Sequence, residues 1–204
     1  MAENPSDRHC ATERNSWRCT SIISITLGFA LASLGASCSQ QHSSKPMADG
    51  KQWTTQNLNV ETTQSYCYED SEQNCRRYGR LYTWESARRA CQSLGAGWRL
   101  PTDDEWRGMA KRYGGIGSDA KDNGKAAYAA LLTGGNAGFN AVLGGNRSSD
   151  GRYARVQAHG FYWTASEIDQ RSAPFYNFGH GSQALFRQAG GDKQMAISVR
   201  CVSE

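Results

Sequence analysis

The chain has 204 residues, a length that suits one domain, or one domain with a tail, better than two domains. Its 23 basic and 19 acidic side chains give a net charge of +4 and are scattered along the chain. This pattern argues against nucleic-acid binding, which normally requires a clustered Lys and Arg surface. Six Trp, nine Tyr and 22 Gly indicate a loop-rich fold whose core depends on large rings and cross-links.

The first 37 residues have the organisation of an export signal. An uncharged apolar run at residues 20–37 follows three arginines and ends in small residues directly before Cys38. These are the successive regions of a signal peptide, and a buried helix is the less favoured alternative at this position. Residues 1–37 carry three acidic and three basic side chains, so their removal leaves the net charge at +4.

The end of this segment, L-G-A-S-C, resembles the lipobox of bacterial lipoproteins, in which the cysteine becomes the acylated first residue, here Cys38. Gly35 stands where Leu is usual, so cleavage without lipidation is the alternative. Ser39 after the cysteine resembles the sorting signal for the outer membrane. We therefore expect a lipid-anchored protein of the bacterial outer membrane, displayed on the cell surface. Polar residues 38–50 predict a flexible tether ahead of a folded domain at residues 51–204.

Four of the seven cysteines fall within the predicted domain, namely Cys67, Cys75, Cys91 and Cys201. An even number in an exported chain predicts disulfides, and four cysteines allow three connectivities. The proximity of Cys67 and Cys75 favours a local bridge, which leaves Cys91 with Cys201. Zinc is the weaker alternative because the chain has no C-x-x-C pair and its histidines lack ligand spacing.

The first half of the domain predicts one strand and two helices. Residues 51–60 mix Trp, Thr, Leu and Val with polar residues, as an opening strand does. Residues 66–80 are polar and carry both local cysteines, which predicts a pinned loop. Thr83 caps the first helix, and Thr102 with Glu105 forms the T-x-x-E capping box of the second.

The second half predicts loops followed by strands. Residues 114–160 are rich in Gly, Asn, Ser and Ala, and within them only residues 126–132 have a helical pattern. A long irregular stretch in a compact domain usually carries functional loops. Beyond residue 160, the segments G-F-Y-W-T-A-S-E, A-P-F-Y-N-F, A-L-F-R-Q and A-I-S-V-R-C-V predict short strands of an antiparallel meander. The order of elements predicts an α+β domain with two helices, a small antiparallel sheet and long loops.

Several motifs occur in a recognisable order between residues 50 and 204: W-T-T-Q-N-L-N-V, S-Y-C-Y, C-R-R-Y-G-R-L-Y-T-W, A-C-Q-S-L-G-A-G-W-R-L-P-T-D-D-E-W, G-F-Y-W-T-A-S-E and S-V-R-C-V. Together they resemble the major paralogous (FISUMP-type) domain of bacterial surface lipoproteins. That domain is similar to the C-type-lectin-like fold of the formylglycine-generating-enzyme branch. The resemblance implies this fold, and it implies a Cys91 to Cys201 disulfide between the first helix and the last strand.

The C-terminal segment also resembles the variable proteins of diversity-generating retroelements, in which adenine-directed mutagenesis rewrites surface codons of a lectin-like scaffold. That resemblance implies an invariant frame of Trp163, Ser198, Val199, Arg200 and Cys201. It also implies ligand-facing positions between them, which are Ile168, Asp169, Arg171, Phe175, Tyr176, Asn177, His180, Phe186 and Arg187.

The strand pattern gives this binding face independent support. Successive side chains of a strand point to opposite faces, so one of Phe175 and Tyr176 must point outward. Tyr, Phe, Arg, His and Asn concentrated on a rigid hairpin match the composition of recognition surfaces. The alternative is that these rings pack beneath the neighbouring loops.

Motifs of catalysis and of metal binding are absent from the sequence. Formylglycine-generating enzymes use paired cysteines late in the chain, where only Cys201 lies here. None of the strings E-P-N, Q-P-D or W-N-D of calcium-dependent lectins occurs, and no G-x-S-x-G, H-E-x-x-H or phosphate-loop motif occurs. We therefore expect no enzyme, cofactor or metal, but a surface protein that binds an unknown protein or glycan on another cell or macromolecule. The alternatives are an enzyme relative of the same fold and a structural surface protein.

Overall fold

A computed structural model of the protein describes residues 42–204. The predicted signal peptide and the predicted lipidation site at Cys38 lie outside the described residues. Helices and strands are mixed along the described chain, which confirms the α+β class. The helices are α1 (Glu72–Tyr78), α2 (Trp84–Gln92), α3 (Asp103–Lys111) and α4 (Lys125–Leu131). Among the described residues, no helix is both long enough and apolar enough to cross a membrane.

The strands of residues 42–204 form three small sheets, ordered β1-β2-β10, β3-β4 and β6-β5-β7-β8-β9. Neighbouring strands are antiparallel except β5 and β7, which are parallel where Gly145 lies opposite Gly160. The predicted antiparallel sheet is therefore correct for the C-terminal meander but wrong for this pair. The strands are β1 (Ser44–Pro46), β2 (Gln52–Thr54), β3 (Ser65–Tyr66), β4 (Leu81–Tyr82), β5 (Gly144–Arg147), β6 (Tyr153–Val156), β7 (His159–Trp163), β8 (Ser172–Gly179), β9 (Ala184–Asp192) and β10 (Val202–Ser203).

The folded domain begins earlier than the sequence predicts. Lys45 of β1 pairs with Trp53 of β2, which also pairs with Val202 of β10. Met47 is buried against the main core. The predicted tether at residues 38–50 is therefore too long, because its second half forms β1 and the buried Met47, which pack with the domain.

The predicted capping box of α3 is present, whereas Thr83 lies at the N-cap position of α2 without a side-chain capping hydrogen bond. Thr102 Oγ1 accepts a hydrogen bond from Glu105 N at 3.2 Å, and Glu105 Oε2 accepts one from Thr102 N at 2.8 Å. Helix α2 follows Thr83 as predicted, and α4 lies where residues 126–132 predicted a short helix. These helices were predictable because caps and apolar spacing are local signals.

Two regions that were predicted to be irregular contain regular elements. Helix α1 lies inside the expected loop at residues 66–80, and it buries only Cys75 and Tyr78 of its seven residues. Strands β5 and β6 lie inside the glycine-rich stretch. Glycine is required in β5 because Gly145 has φ +68° and an added Cβ would lie 2.5 Å from Ala154 O. The close approach of the β5 and β6 backbones thus explains why a glycine-rich segment forms a strand, although its composition predicted a loop.

Two disulfides close the domain, with the pairing that the sequence favoured. Cys67 is bonded to Cys75 of α1 across 4.9 Å between Cα atoms. Cys91 of α2 is bonded to Cys201, just before β10, across 5.5 Å. The second bridge joins residues 110 positions apart and ties the C-terminal segment to the middle of the chain.

Arg200, next to that bridge, is fully buried. Its guanidinium donates hydrogen bonds to Asn57 Oδ1 at 2.9 Å, Thr54 O at 2.9 Å, Asn140 O at 2.6 Å and Phe139 O. It also lies 4.4 Å from the centroid of the Phe139 ring. Burial lowers the pKa of Arg200 to about 10. One side chain therefore joins three distant parts of the chain through backbone and amide oxygens.

The meander β7-β8-β9 contributes side chains to two buried clusters, one on each of its faces. Tyr162, Tyr176, Phe178 and Leu185 belong to the larger cluster, which contains Trp106 of α3. Phe161, Trp163 and Ala173 belong to the second cluster, with Trp84 of α2. Since the two clusters draw on alternate residues of the same strands, the strand pattern fixes which side chains hold the sheet to each helix.

Candidate functional site

The register of the C-terminal meander divides its side chains into two sets. Phe161 of β7 lies opposite Asn177 of β8, which lies opposite Phe186 of β9. The adjacent row consists of Tyr162, Tyr176 and Arg187 and points to the other side. We call the first side the outer face and the second side the inner face. The outer face consists of His159, Phe161, Trp163, Phe175, Asn177, Phe186 and Gln188, of which Phe161 and Trp163 are buried.

The inner face is packed against α3. Tyr176 is fully buried, and its ring stacks on Trp106 with 5.0 Å between centroids. Its hydroxyl lies 3.1 Å from both Asp103 O and Asp103 Oδ1. Burial, with the nearby Asp103 carboxylate, raises the pKa of Tyr176. The prediction that Tyr176 faces a ligand is therefore wrong.

Arg187 is also placed on this packed side. Its Nε donates to both carboxylate oxygens of Asp103 at 2.8 Å. This bond holds the first turn of α3 to β9 and raises the pKa of Arg187. Arg187 therefore serves the scaffold, although the sequence placed it among the ligand-facing residues.

The outer face carries a layer of aromatic rings. His159 and Phe161 stack with 5.2 Å between centroids and 4° between ring planes. Phe175 packs its ring edge-on against Phe161 at 5.7 Å. His159 Nδ1 lies 2.9 Å from Asn177 Oδ1, which fixes the Asn177 side chain. The predicted residues Phe175, Asn177 and Phe186 are half-buried here and come together on one surface.

Two polar groups of the outer face remain free to meet a ligand. Within residues 42–204, the Gln188 side chain makes no hydrogen bond, and Asn177 Nδ2 donates none. Sequence reasoning missed Gln188, His159 and Phe161. The signal that could have found them is the cross-strand register, since each lies in or beside the row of Asn177.

Residues 167–172 comprise the last part of the connection from β7 to β8 and the first residue of β8, and we call them the tip loop. Ile168 is 53% exposed, and within the described part of the chain it is the exposed large apolar side chain. Arg171 is exposed as well. Asp169 Oδ1 accepts hydrogen bonds from Arg171 N and Ser172 N at 2.7 Å. Hydrogen bonds from Ser172 and Arg171 lower the pKa of Asp169. Asp169 therefore shapes the tip loop, whereas Ile168 and Arg171 project from it.

The tip loop lies against the end of β9 at Gly190, next to a glycine that faces the outer ring of Phe175. An added Cβ at Gly190 would lie 3.3 Å from Ile168 Cδ1, and one at Gly191 would lie 2.8 Å from Phe175 Cε1. Because successive residues of a strand point to opposite faces, Ile168 lies against the opposite side of β9 from Phe175. A shallow depression lies beside them, between residues 169–172 and 190–194.

His180 is exposed at the opposite end of the meander. Strand β8 has eight residues, a length of about 25 Å, and it separates His180 from the tip loop. The structure therefore brings together Phe175, Asn177 and Phe186 on the outer face, places Ile168 and Arg171 in the tip loop at one end of the meander, and leaves His180 at the other end.

One cluster has the composition of a metal site. Potential ligand atoms of Cys67, Glu72 and Cys75 lie within 4.8 Å of one another, and no other such group occurs in the described range. Both sulfurs are consumed in the disulfide, however. The oxidised domain therefore offers a metal only the Glu72 carboxylate at this place.

These features define a small, disulfide-linked α+β domain with a packed inner face and a partly exposed aromatic outer face at its C-terminal meander. The chain belongs to the Fibrobacter succinogenes major domain family (Fib_succ_major), whose model matches residues 38–203. This match confirms the resemblance to the FISUMP-type major domain. No curated protein and no solved structure matched the chain.

Adjacent residues of β8 test the assignment of the two faces. We expect Tyr176→Ala to lower the free energy of unfolding by about 3–5 kcal/mol, because it opens a cavity against Trp106. We expect Asn177→Ala to lower it by less than about 1.5 kcal/mol, because it removes one half-exposed hydrogen bond. Urea unfolding of both variants measures the difference, and equal losses would contradict the assignment.

Proposed function

We propose that the domain is a recognition module that binds a macromolecular ligand through the outer face and the tip loop. One observation carries this proposal: half-buried rings and an unpaired amide share the outer face, an adjoining loop displays an isoleucine, and the inner face of the same strands is packed against α3. Surfaces that combine aromatic rings with adaptable polar groups are typical of recognition sites.

The shape of this surface favours a protein ligand. Small-molecule sites are concave and enclose their ligand, whereas the outer face is a three-stranded surface beside a shallow depression. The apolar Ile168 and the half-buried rings of Phe175 and Phe186 suit the apolar centre of a protein interface. A glycan is the alternative ligand, and the experiment below distinguishes the two.

The alternatives to recognition fit these features less well. A purely structural surface protein has no need for a cluster of partly exposed rings beside an exposed isoleucine. An enzyme of the formylglycine-generating type requires late cysteines with free thiols. Within residues 42–204, all four cysteines are in disulfides.

The finer fold assignment that we propose is the C-type-lectin-like fold. Its support is the Cys91–Cys201 bridge between a helix and the C-terminal segment. A second support is the pairing of β2 with β10, which brings the two ends of the domain together.

We further propose that the protein is an outer-membrane lipoprotein anchored at Cys38. The support is the export segment with its L-G-A-S-C ending. Strand β1 begins at Ser44, so an anchor at Cys38 would hold the domain within about 20 Å of the bilayer. The membrane is then the second partner of the protein, through its lipid.

Binding to surface-displayed protein tests the function. Intact bacteria that express the full chain are applied to arrays of immobilised proteins and glycans. A triple variant, Asn177→Ala, Phe186→Ala and Gln188→Ala, should weaken capture at least about tenfold, because these groups form the interface centre. Cells that express the Cys38→Ala chain should no longer be captured by the array, because the domain is no longer anchored to them. The released domain itself should still bind to the array.

The matched control is Asp104→Ala, Lys111→Ala and Arg112→Ala, three exposed positions on or next to α3, which packs against the inner face. This control should bind as the unchanged protein does. Equal loss in both triple variants, or loss in neither, would contradict recognition by the outer face. Capture by glycans alone would reassign the ligand class.

The most specific part of the proposal is that a retroelement diversifies the codons of this surface. Its support is physical, because the partly exposed outer-face side chains can change while the inner row stays packed. Comparison of the gene with a near-copy of its 3′ end should find differences only at adenines, in codons for outward residues such as Ile168, Asn177 and Phe186. Differences at other bases, or in the codon for Tyr176, would contradict it.

A further inference from the structure

We infer that Lys193 is a positioning residue that holds the tip loop in one conformation and so presents Ile168 to a ligand. The use of the loop in recognition rests on the proposed function. The holding role of Lys193 is a property of the free protein and is tested without a ligand.

Lys193 is a buried cation directly behind the loop. It is 8% exposed, and its Nζ donates to Glu167 Oε2 at 2.6 Å and to Asp169 O at 2.7 Å. Its ammonium also lies 4.3 Å from the centroid of the Trp84 ring. A buried ammonium requires partners, and both hydrogen-bonding partners here belong to the tip loop. The loop must therefore stay in place for the charge to remain satisfied.

The second half of the loop is fixed by backbone groups. Lys193 N donates to Arg171 O at 2.9 Å, and Ile168 N donates to Ser172 O at 3.0 Å. Asp169 Oδ1 accepts from the amides of Arg171 and Ser172, as described above. Residue 193 thus binds the loop with its side chain and with its main chain.

Gly190 provides the space in which Ile168 rests. Its φ is outside the left-handed region, so the backbone conformation does not require glycine. An added Cβ would lie 3.3 Å from Ile168 Cδ1, tighter than an ordinary contact. The glycine is therefore explained by the isoleucine that lies over it.

The loop divides into holding and displayed side chains. Lys193, Glu167 and Asp169 hold it. Ile168, Gln170 and Arg171 are exposed, and within the described residues the side chains of Gln170 and Arg171 make no hydrogen bond. The displayed set, an aliphatic group beside a cation, fits a protein surface with an apolar depression near carboxylates. A preformed loop reduces the ordering cost of binding.

Hydrogen exchange of the full chain tests the role of Lys193. Lys193→Met keeps an apolar stem on Trp84 but removes the donor, so amides of residues 168–172 should exchange at least about tenfold faster. Trypsin should cleave after Arg171 more rapidly in the same variant. Lys193→Arg should restore part of the protection, and Gln194→Ala, at an exposed neighbour, should match the unchanged protein.

A second variant covers the case in which Lys193→Met does not fold. Glu167→Gln changes a side chain that is 53% exposed, so it leaves the core intact and should loosen the same amides to a smaller degree. Unchanged exchange of the loop in every folded variant of Lys193 and Glu167 would overturn the inference. A loosened loop together with failed ligand binding would leave the inference standing and remove the proposed function.

Discussion

The domain depends on a buried cation that has oxygen partners but no carboxylate partner among the described residues. Taking a guanidinium out of water costs several kcal/mol unless its donors are satisfied. Arg200 meets this requirement with oxygens from residues 54–57 and 139–140, which closes the start and the middle of the domain around its C-terminal segment. The adjacent Cys91–Cys201 bridge makes the same closure covalent. The polar contacts specify which segments meet, and the disulfide limits how far they can separate.

This closure reaches the recognition surface through the sheet. Asn57 Oδ1 accepts from Arg200 and also lies 3.0 Å from the Tyr162 hydroxyl. Tyr162 is the first residue of the inner row, and its neighbour in the row is Tyr176. The scaffold therefore uses the inner face of β7 and β8 together with the buried outer-face residues Phe161 and Trp163, and the half-buried outer residues of β8 and β9 remain available for a ligand. A surface organised in this way can change its outward side chains with little effect on the interior.

The sequence predicted what local signals encode. Thr102 and Glu105 predicted the start of α3, and cysteine spacing predicted both bridges. The alternation of side chains along a strand showed only that Phe175 and Tyr176 point to opposite sides of the sheet, and it did not show which of them points outward. The direction depends on packing against α3, and the register shifts between Ala173 and Phe175. Long-range partners likewise decide that Arg187 binds Asp103, which no periodicity reveals.

The free energy of unfolding of an Arg200→Met variant tests the central claim most directly. Methionine keeps most of the volume but leaves the acceptors of the guanidinium without donors, so the loss should be about 3–5 kcal/mol. Arg89→Met, at an exposed position on α2, is the matched control and should change stability by less than about 0.5 kcal/mol. A loss at Arg200 no larger than that of the control, measured by urea unfolding, would contradict the account.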